Sequence, residues 1–269
     1  MTAALPTPEK PAARVILCMK WGRVFPPACV NVLYAACCKH MAAPFRFVCL
    51  TDDAKGFVAG IEALPIPDIG LRPDQWYTKG VWPKLALYVA DLHGLTGRCL
   101  FIDLDMVIVG GLDDFFSLPG RFISTDMGDG WQPAGRAGAR PETGTCIFAY
   151  DLGRETPIID RFQREPEQII ASFRNEQDYV GAMVEPMGFW PAGWVISFKR
   201  FLRQPVGADL FRPPRAAPAG TRVIAFHGDP RPQDLLKTGF WDRFPHMGHG
   251  RVDWMVRYWQ ENGGKLPGR

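Results

Sequence analysis

Apolar and polar positions alternate along this chain in blocks that predict strands and helices in turn. Arg14 to Met19 carries Val15, Ile16 and Leu17 as an unbroken apolar run, which predicts a first buried strand. From Pro26 to Met41, residues Val30, Leu33, Tyr34, Cys37 and Met41 recur at helical spacing. Phe45 to Leu50 predicts a second strand ending in Thr51-Asp52-Asp53, and Ile61 to Ile66 a short third, closed by Pro65 and Pro67. Val81 to Leu92 places Leu85, Tyr88, Val89 and Leu92 on one face of a predicted helix. The next segment, Gly97 to Val109, is apolar from Cys99 onward except for Asp103 and Asp105.

Beyond that run the pattern is more varied. Leu112 to Phe116 is a short apolar patch, Arg121 to Thr125 a strand, and Gly128 to Glu142 a loop rich in Gly, Ala and Arg. Gly144 to Tyr150 predicts another strand, and Pro157 to Val184 carries helical signals broken at Pro166. An aromatic-rich segment, Gly188 to Arg200, precedes a proline-rich loop from Pro205 to Ala219. The last strand, Arg222 to Phe226, leads into His227-Gly228-Asp229. Strands alternating with helices predict an α/β fold with a mixed, mainly parallel sheet flanked by helices. In such sheets ligands gather at the carboxyl ends of the strands, where Thr51-Asp52-Asp53 and Asp103-Leu104-Asp105 both fall.

The aspartate pair carries the strongest chemical signal. On a strand, Asp103 and Asp105 point to the same face across Leu104. Two neighbouring carboxylates repel, and burying them uncompensated is costly. A divalent cation relieves both problems, and carboxylate oxygens suit Mg²⁺ or Mn²⁺. His227, at the end of a core strand and before a glycine that leaves room for approach, is the imidazole best placed to complete such a site. A strand-end histidine bonded to a backbone carbonyl is the competing reading.

Composition narrows the class without deciding it. The 269 residues are 47% hydrophobic and 22% charged with a net charge of +3, ordinary for a globular enzyme and too weak a positive balance for nucleic-acid binding. Seven cysteines with no C-x-x-C pair argue against a disulfide framework or a zinc knuckle, and predict reduced thiols in a cytoplasmic protein. No segment approaches the roughly 18 apolar residues of a membrane span. The stretch Trp241 to Trp259, with Arg243, Arg251 and Arg257 interleaved, is a candidate for peripheral membrane contact.

The run Phe101-Ile102-Asp103-Leu104-Asp105, followed by Val107, Gly111-Leu112 and Phe115-Phe116, resembles glycosyltransferase family 8 and related D-x-D-containing GT-A glycosyltransferases. Three later segments extend the resemblance over residues 14 to 232: Glu142 to Phe148, Asn175-Glu176-Gln177-Asp178, and Phe226-His227-Gly228. The chain departs from the family at Glu142-Thr143, where Phe-Asn is usual, and at Glu176, where Asp is usual. The lysine that follows the family's histidine-glycine element is missing, and Arg231 stands nearby.

The resemblance implies transfer of a sugar from a nucleotide-sugar, a UDP-sugar first, to a hydroxyl of a glycan or glycolipid acceptor, with retention. It implies Mn²⁺ or Mg²⁺ on Asp103, Asp105 and His227. Lys84 and Arg231 would assist departure of the diphosphate, and Asp178 would orient sugar or acceptor; for Lys84 the alternative is a side chain reaching to water from an amphipathic helix, for Asp178 a helix N-cap. Met19, Lys20, Thr51, Asp52, Leu104 and Gly228 would line the donor, with Asp52 equally suited to capping a turn. The organisation implied is a flexible tail over 1–13 and one domain over 14–269. That domain divides into a nucleotide-binding half (14–110), a donor and acceptor half (111–240) and a C-terminal extension (241–269).

Two other readings stay open. Asp103 to Ile108 also satisfies the D-x-D core of haloacid-dehalogenase-type phosphatases, with Asp103 as nucleophile, although three strand-like segments precede it here. A GT-A-like protein that binds nucleotide-sugars without catalysis is the third.

Overall fold

The computed structural model describes residues 14–128, 131 and 141–267. The predicted tail over 1–13 and most of the 128–142 loop lie outside the described residues. Fifteen regular elements are used below. They are β1 (Arg14–Lys20), α1 (Pro27–His40), β2 (Phe45–Thr51), β3 (Ile61–Leu64), β4 (Arg98–Ile102) and β5 (Met106–Ile108). Then follow β6 (Phe122–Asp126), β7 (Thr143–Asp151), α2 (Thr156–Arg164), α3 (Pro166–Ser172) and α4 (Glu176–Met183). The last are β8 (Gly188–Phe189), β9 (Val195–Ser197), β10 (Val223–Ala225) and α5 (Asp253–Glu261).

Seven strands form the main sheet in the order β3-β2-β1-β4-β7-β6-β8. β3, β2, β1 and β4 run parallel, β7 is antiparallel to both β4 and β6, and β8 is parallel to β6. The sheet is therefore mixed and mainly parallel, as the alternation of elements predicts. The interior strand β1 shows why the sequence run is unbroken: Val15, Leu17 and Met19 enter the core on one face, Ile16 and Cys18 on the other. Strands covered on both faces need apolar residues at every position.

A second, three-stranded sheet in the order β5-β10-β9 joins the first at the aspartates. Here the structure departs from the prediction. Asp103-Leu104-Asp105 is not strand but the turn between β4 and β5, closed by the Met106 N–H donating to Asp103 O at 3.2 Å. The chain stays in the core after Asp105 because it passes directly from one sheet into the other.

The predicted amphipathic helix over Val81–Leu92 is a second correction. Only Trp82–Tyr88 is helical, with 3₁₀ geometry, and all seven residues are buried. Gly80 and Val81 both carry positive φ and Pro83 opens the turn, so the segment enters the core abruptly and has no solvent face. Full burial of Trp82 and Leu85 contributes about 1.5–3 kcal/mol each. The aromatic C-terminal stretch is also largely interior: Trp241, Met255 and Trp259 are buried and pack with Val107, Ile224 and Phe226 beneath the small sheet. The indole N–H groups of Trp241 and Trp259 donate to Gly250 O and Lys265 O, so these rings are not free to enter a bilayer. All seven cysteines are free thiols, and Cys38 is exposed.

Candidate active site

The two sheets align their strand ends in one row. In the main sheet the carboxyl ends of β2, β1 and β4 stand side by side, with Thr51 opposite Lys20. The aspartate turn continues from β4 into β5. There β10 is antiparallel to β5 and β9 is parallel to β10, so Met106, Ala225 and Ser197 lie in register. The Phe226 N–H donates to Asp105 O at 3.1 Å, which brings His227 beside the turn. The row thus runs from Asp52 through Lys20, Asp103 and Asp105 to His227 and Ser197.

At the first end, Met19 is buried and Lys20 is 5% exposed. The Lys20 Nζ donates to Asp53 O at 3.3 Å and lies 3.9 Å from Asp52 Oδ1. Thr51 is spent on its own turn, its hydroxyl donating to Asp53 O at 3.0 Å. Asp52 accepts the Gly22 N–H at 2.8 Å, so one oxygen holds a loop in place. Between them Gly22, Arg23, Asp52, Asp53 and Tyr77 line a cleft of about 480 Å³.

At the centre, Lys84 lies behind Asp103 rather than facing the cleft. Its Nζ donates to Asp103 Oδ2 at 2.8 Å, Asp103 Oδ1 at 3.0 Å and Thr145 O at 2.6 Å, with Glu176 Oε1 at 3.4 Å. The ammonium also sits 4.5 Å from the centre of the Phe101 ring. Burial lowers the pKa of this lysine, but Asp103 and Glu176 together outweigh burial and raise it above its ordinary value. Glu176 is just as enclosed and accepts the Thr145 hydroxyl at 2.8 and 2.9 Å. Nothing in the sequence beyond a departure from a motif marks Glu176 as part of this network.

Asp105 has no such partner. Burial, reinforced by the charge of Asp103, pushes its carboxyl up to about 8, with Lys84 and Arg231 pulling the other way. Arg231 itself stacks over Phe25 at 5.2 Å and lies 3.7 Å from Asp229. Leu104 is the buried tip of the turn, and Gly228, at φ 72°, follows His227 in a conformation that favours glycine.

The carboxylate pair fits the hard-cation half of a Mn²⁺ or Mg²⁺ site. His227 is kept neutral, the form that ligates: burial first, then Lys199, Arg200 and His246, lower its pKa to about 4. Its Nε2, however, hydrogen-bonds Ser197 Oγ at 2.7 Å, and its ring stacks on Trp131 at 5.2 Å. Among the described residues no three His, Cys, Asp or Glu side chains converge on one point. The structure therefore brings Asp103 and Asp105 together and sets His227 alongside, turned toward Ser197.

Past His227, Met127, Trp131, Glu142, Gln177 and Arg200 line a second cavity of about 260 Å³ with it. Gln177 is fixed there by accepting the Thr145 N–H at 3.1 Å. Asp178, its neighbour, is engaged elsewhere: it forms a two-point ion pair with Arg174 at 2.9 and 3.0 Å. The N-cap of α4 is Asn175, which accepts the Asp178 N–H at 2.8 Å, so Asp178 is not the cap. Gln177 lies within the Asn175–Asp178 segment that carries the resemblance, where Asp178 is the residue singled out; Arg200 carries no sequence signal of its own.

Solved structures share this architecture along nearly the whole chain. A galactosyltransferase, LgtC, in complex with donor and acceptor sugar analogs superposes with a TM-score of 0.58 at 13% identity, over 94% of this chain and 97% of that one. The fold is that of the GT-A glycosyltransferases. The apo form of the glycosyltransferase GlyE from Streptococcus pneumoniae TIGR4 gives a TM-score of 0.55 at 13% identity, over 94% of this chain and 61% of that one. The bifunctional glycosyltransferase WbbM gives 0.57 at 12%, over 97% of this chain and 51% of that one. No protein-family model and no curated protein matches the sequence.

Proposed function

We propose that the protein is a metal-dependent glycosyltransferase that moves a sugar from a UDP-sugar to a hydroxyl of a glycan or glycolipid, with retention. The observation that carries this is the Asp103–Asp105 turn. It places two carboxylates, one of them without a cationic partner, where the two sheets of a GT-A fold meet. In this reading Asp103 and Asp105, with His227 as third ligand, would hold Mn²⁺ or Mg²⁺, which supplies Lewis-acid neutralisation of the departing diphosphate.

The protein's own groups divide the remaining work. Burial raises the Asp103 pKa, and Lys84 offsets part of that rise while fixing the carboxylate, and so acts as a positioning residue behind the ligand rather than as a contact to substrate. Lys20, Asp52 and Thr51, with Met19 beneath them, form the nucleotide end, and the Leu104 and Gly228 backbone flanks the phosphates. Arg231 adds positive charge near Asp105, where negative charge builds as the sugar leaves. Gln177, rather than Asp178, faces the sugar cavity; a glutamine-to-glutamate change in LgtC is likewise an active-site mutation. The described residues include no helix long and apolar enough to cross a membrane, and the proposed setting is the cytoplasmic side of polysaccharide or glycolipid assembly.

The test is release of nucleotide from a panel of UDP- and GDP-sugars, with Mn²⁺ and with EDTA, followed by NMR of the released sugar's anomer. Metal-dependent release with retained configuration supports the reading. A stable phosphoaspartate at Asp103, with no sugar donor consumed, points to the phosphatase chemistry instead. Nucleotide-sugar binding without any turnover leaves a binding protein.

A further inference from the structure

The far end of the row holds a cavity lined mainly by basic residues. It measures about 280 Å³ and is lined by Lys199, Arg200, Arg203, His227 and His246 together with Gln204, Val206 and Pro245. It opens where β9 ends: Ser197 turns directly into a π-helical segment, Phe198–Leu202, that carries Lys199 and Arg200. The nucleotide cleft lies at the β2 and β1 ends, with the aspartate turn and His227 in between. The basic cavity and the nucleotide cleft therefore occupy opposite ends of the row, and the sugar cavity shares Arg200 and His227 with the basic one.

Among the described residues Lys199 and Arg200 are not spent internally. Arg203 is: its guanidinium pairs with buried Asp209 at 2.5 and 2.7 Å. Arg203 Nη1 also lies 2.9 Å from His246 Nδ1. A guanidinium only donates, so Nδ1 accepts and the His246 proton sits on Nε2, where it remains available as a donor. Among the described residues Lys199 and Arg200 form no ion pair within 4.0 Å, although Asp229 and Asp242 act on Lys199 from further away. Burial, followed by Arg203 and Arg200 against those two aspartates, leaves the Lys199 ammonium below its ordinary range. Lys199 and Arg203 act on His246 in the same direction after burial. Like charges held together around a cavity favour an anion in it. Of the lining residues Val206 is 65% exposed.

We propose that this cavity receives a phosphate-class anion, a mono- or diphosphoester, carried by the acceptor. Lys199 and Arg200 would be the principal contacts, with His246 Nε2 as a neutral donor. Only the word acceptor rests on the glycosyltransferase reading; the anion site stands on the cavity itself.

Calorimetric titration with inorganic phosphate and with pyrophosphate tests it, run on the full chain alone and again with saturating UDP and Mn²⁺. The expected result is binding that persists with UDP present and weakens at least tenfold in Lys199→Glu and in Arg200→Glu. Lys199→Met and Arg200→Gln, which remove charge without reversing it, should weaken it to a smaller degree, and Arg164→Glu on the surface of α2 should not change it. Displacement of phosphate by UDP would place the donor's own diphosphate here and overturn the proposal, as would absence of binding or indifference to the Lys199 and Arg200 variants. Sedimentation with phosphatidylglycerol vesicles, but not with phosphatidylcholine alone, assigns the anion to a lipid headgroup; phosphate binding without it assigns the anion to a soluble acceptor. Phosphate binding in a protein that consumes no sugar donor would refute the transferase reading while leaving the anion site in place.

Discussion

Lys84 Nζ and Asp103 Oδ2 stand 2.8 Å apart at the root of the aspartate turn, with the lysine 3% exposed and Glu176 closing its other side. One ammonium thus compensates two carboxylates, and its removal leaves both uncompensated. Breaking a buried pair in this way costs about 3–5 kcal/mol. Lys84→Met should therefore lower stability by that order in chemical denaturation, with or without metal. Lys84→Met combined with Glu176→Gln should recover part of the loss; a double variant as unstable as the sum of the singles would show that the two groups are not coupled.

Asp105 makes the opposite prediction. It has no cationic partner of its own, so Asp105→Asn should leave the metal-free fold at least as stable as the wild type while abolishing the rise in Tm expected of the wild type with Mn²⁺. Differential scanning fluorimetry with Mn²⁺ and with EDTA separates the two effects. An unchanged Mn²⁺ shift in Asp105→Asn would remove Asp105 from the ligand set.

Asp113 anchors the start of β1 to the end of α1. Its carboxylate accepts the Ala42 and Ala43 N–H groups at 2.7 and 3.1 Å and pairs with Arg14 at 2.5 Å. Burial raises its pKa, but these partners outweigh burial and hold it below the usual 3.8. A depressed carboxyl binds fewer protons folded than unfolded. Its contribution is complete above pH 3.8 and is lost as pH falls through the folded value. Asp113→Asn should cost about 1–2 kcal/mol at pH 7 and much less near pH 2, read by urea denaturation at both. An equal cost at both would exclude the ionised form as the source.

Gln177 lines the sugar cavity while its side-chain oxygen is held by the Thr145 N–H. Gln177→Ala should reduce kcat for donor turnover by about tenfold to a hundredfold, the range lost with one positioned polar contact, and leave nucleotide affinity unchanged. Asp178→Ala, which breaks only a surface pair with Arg174, should change kcat far less. Equal losses in the two variants would restore Asp178 to the site.

The order of strands and helices was legible because apolar runs and helical spacing respond to the same burial that builds the two faces of the sheet. The aspartates were legible for a related reason: two charges inside an apolar run have no cheap explanation. Their local geometry was not. A turn between two sheets and a strand with a period of two give nearly the same residue pattern here, and only the strand pairing of β5 with β10 separates them. A helical projection of Val81–Leu92 gives Lys84 a polar side, open to the diphosphate or to water, whereas Gly80, Val81 and Pro83 bend the chain so that no such side exists. Trp241 and Trp259 look like membrane anchors until the small sheet is seen to need a floor. The Asn175–Asp178 segment was legible as a motif, but which of its residues faces the cavity was not, and Arg200 and Lys199 gave no signal at all, because cavity lining is set by long-range packing, which no short window of sequence records.

Calorimetric titration of UDP into the wild type and Asp105→Asn, each with Mn²⁺ and with EDTA, tests the central claim most directly. The account predicts binding only for the wild type with Mn²⁺, or binding at least tenfold tighter there than in the other three conditions. UDP binding of equal strength in all four, or no binding in any, would contradict a metal-dependent nucleotide-sugar site at the Asp103–Asp105 turn.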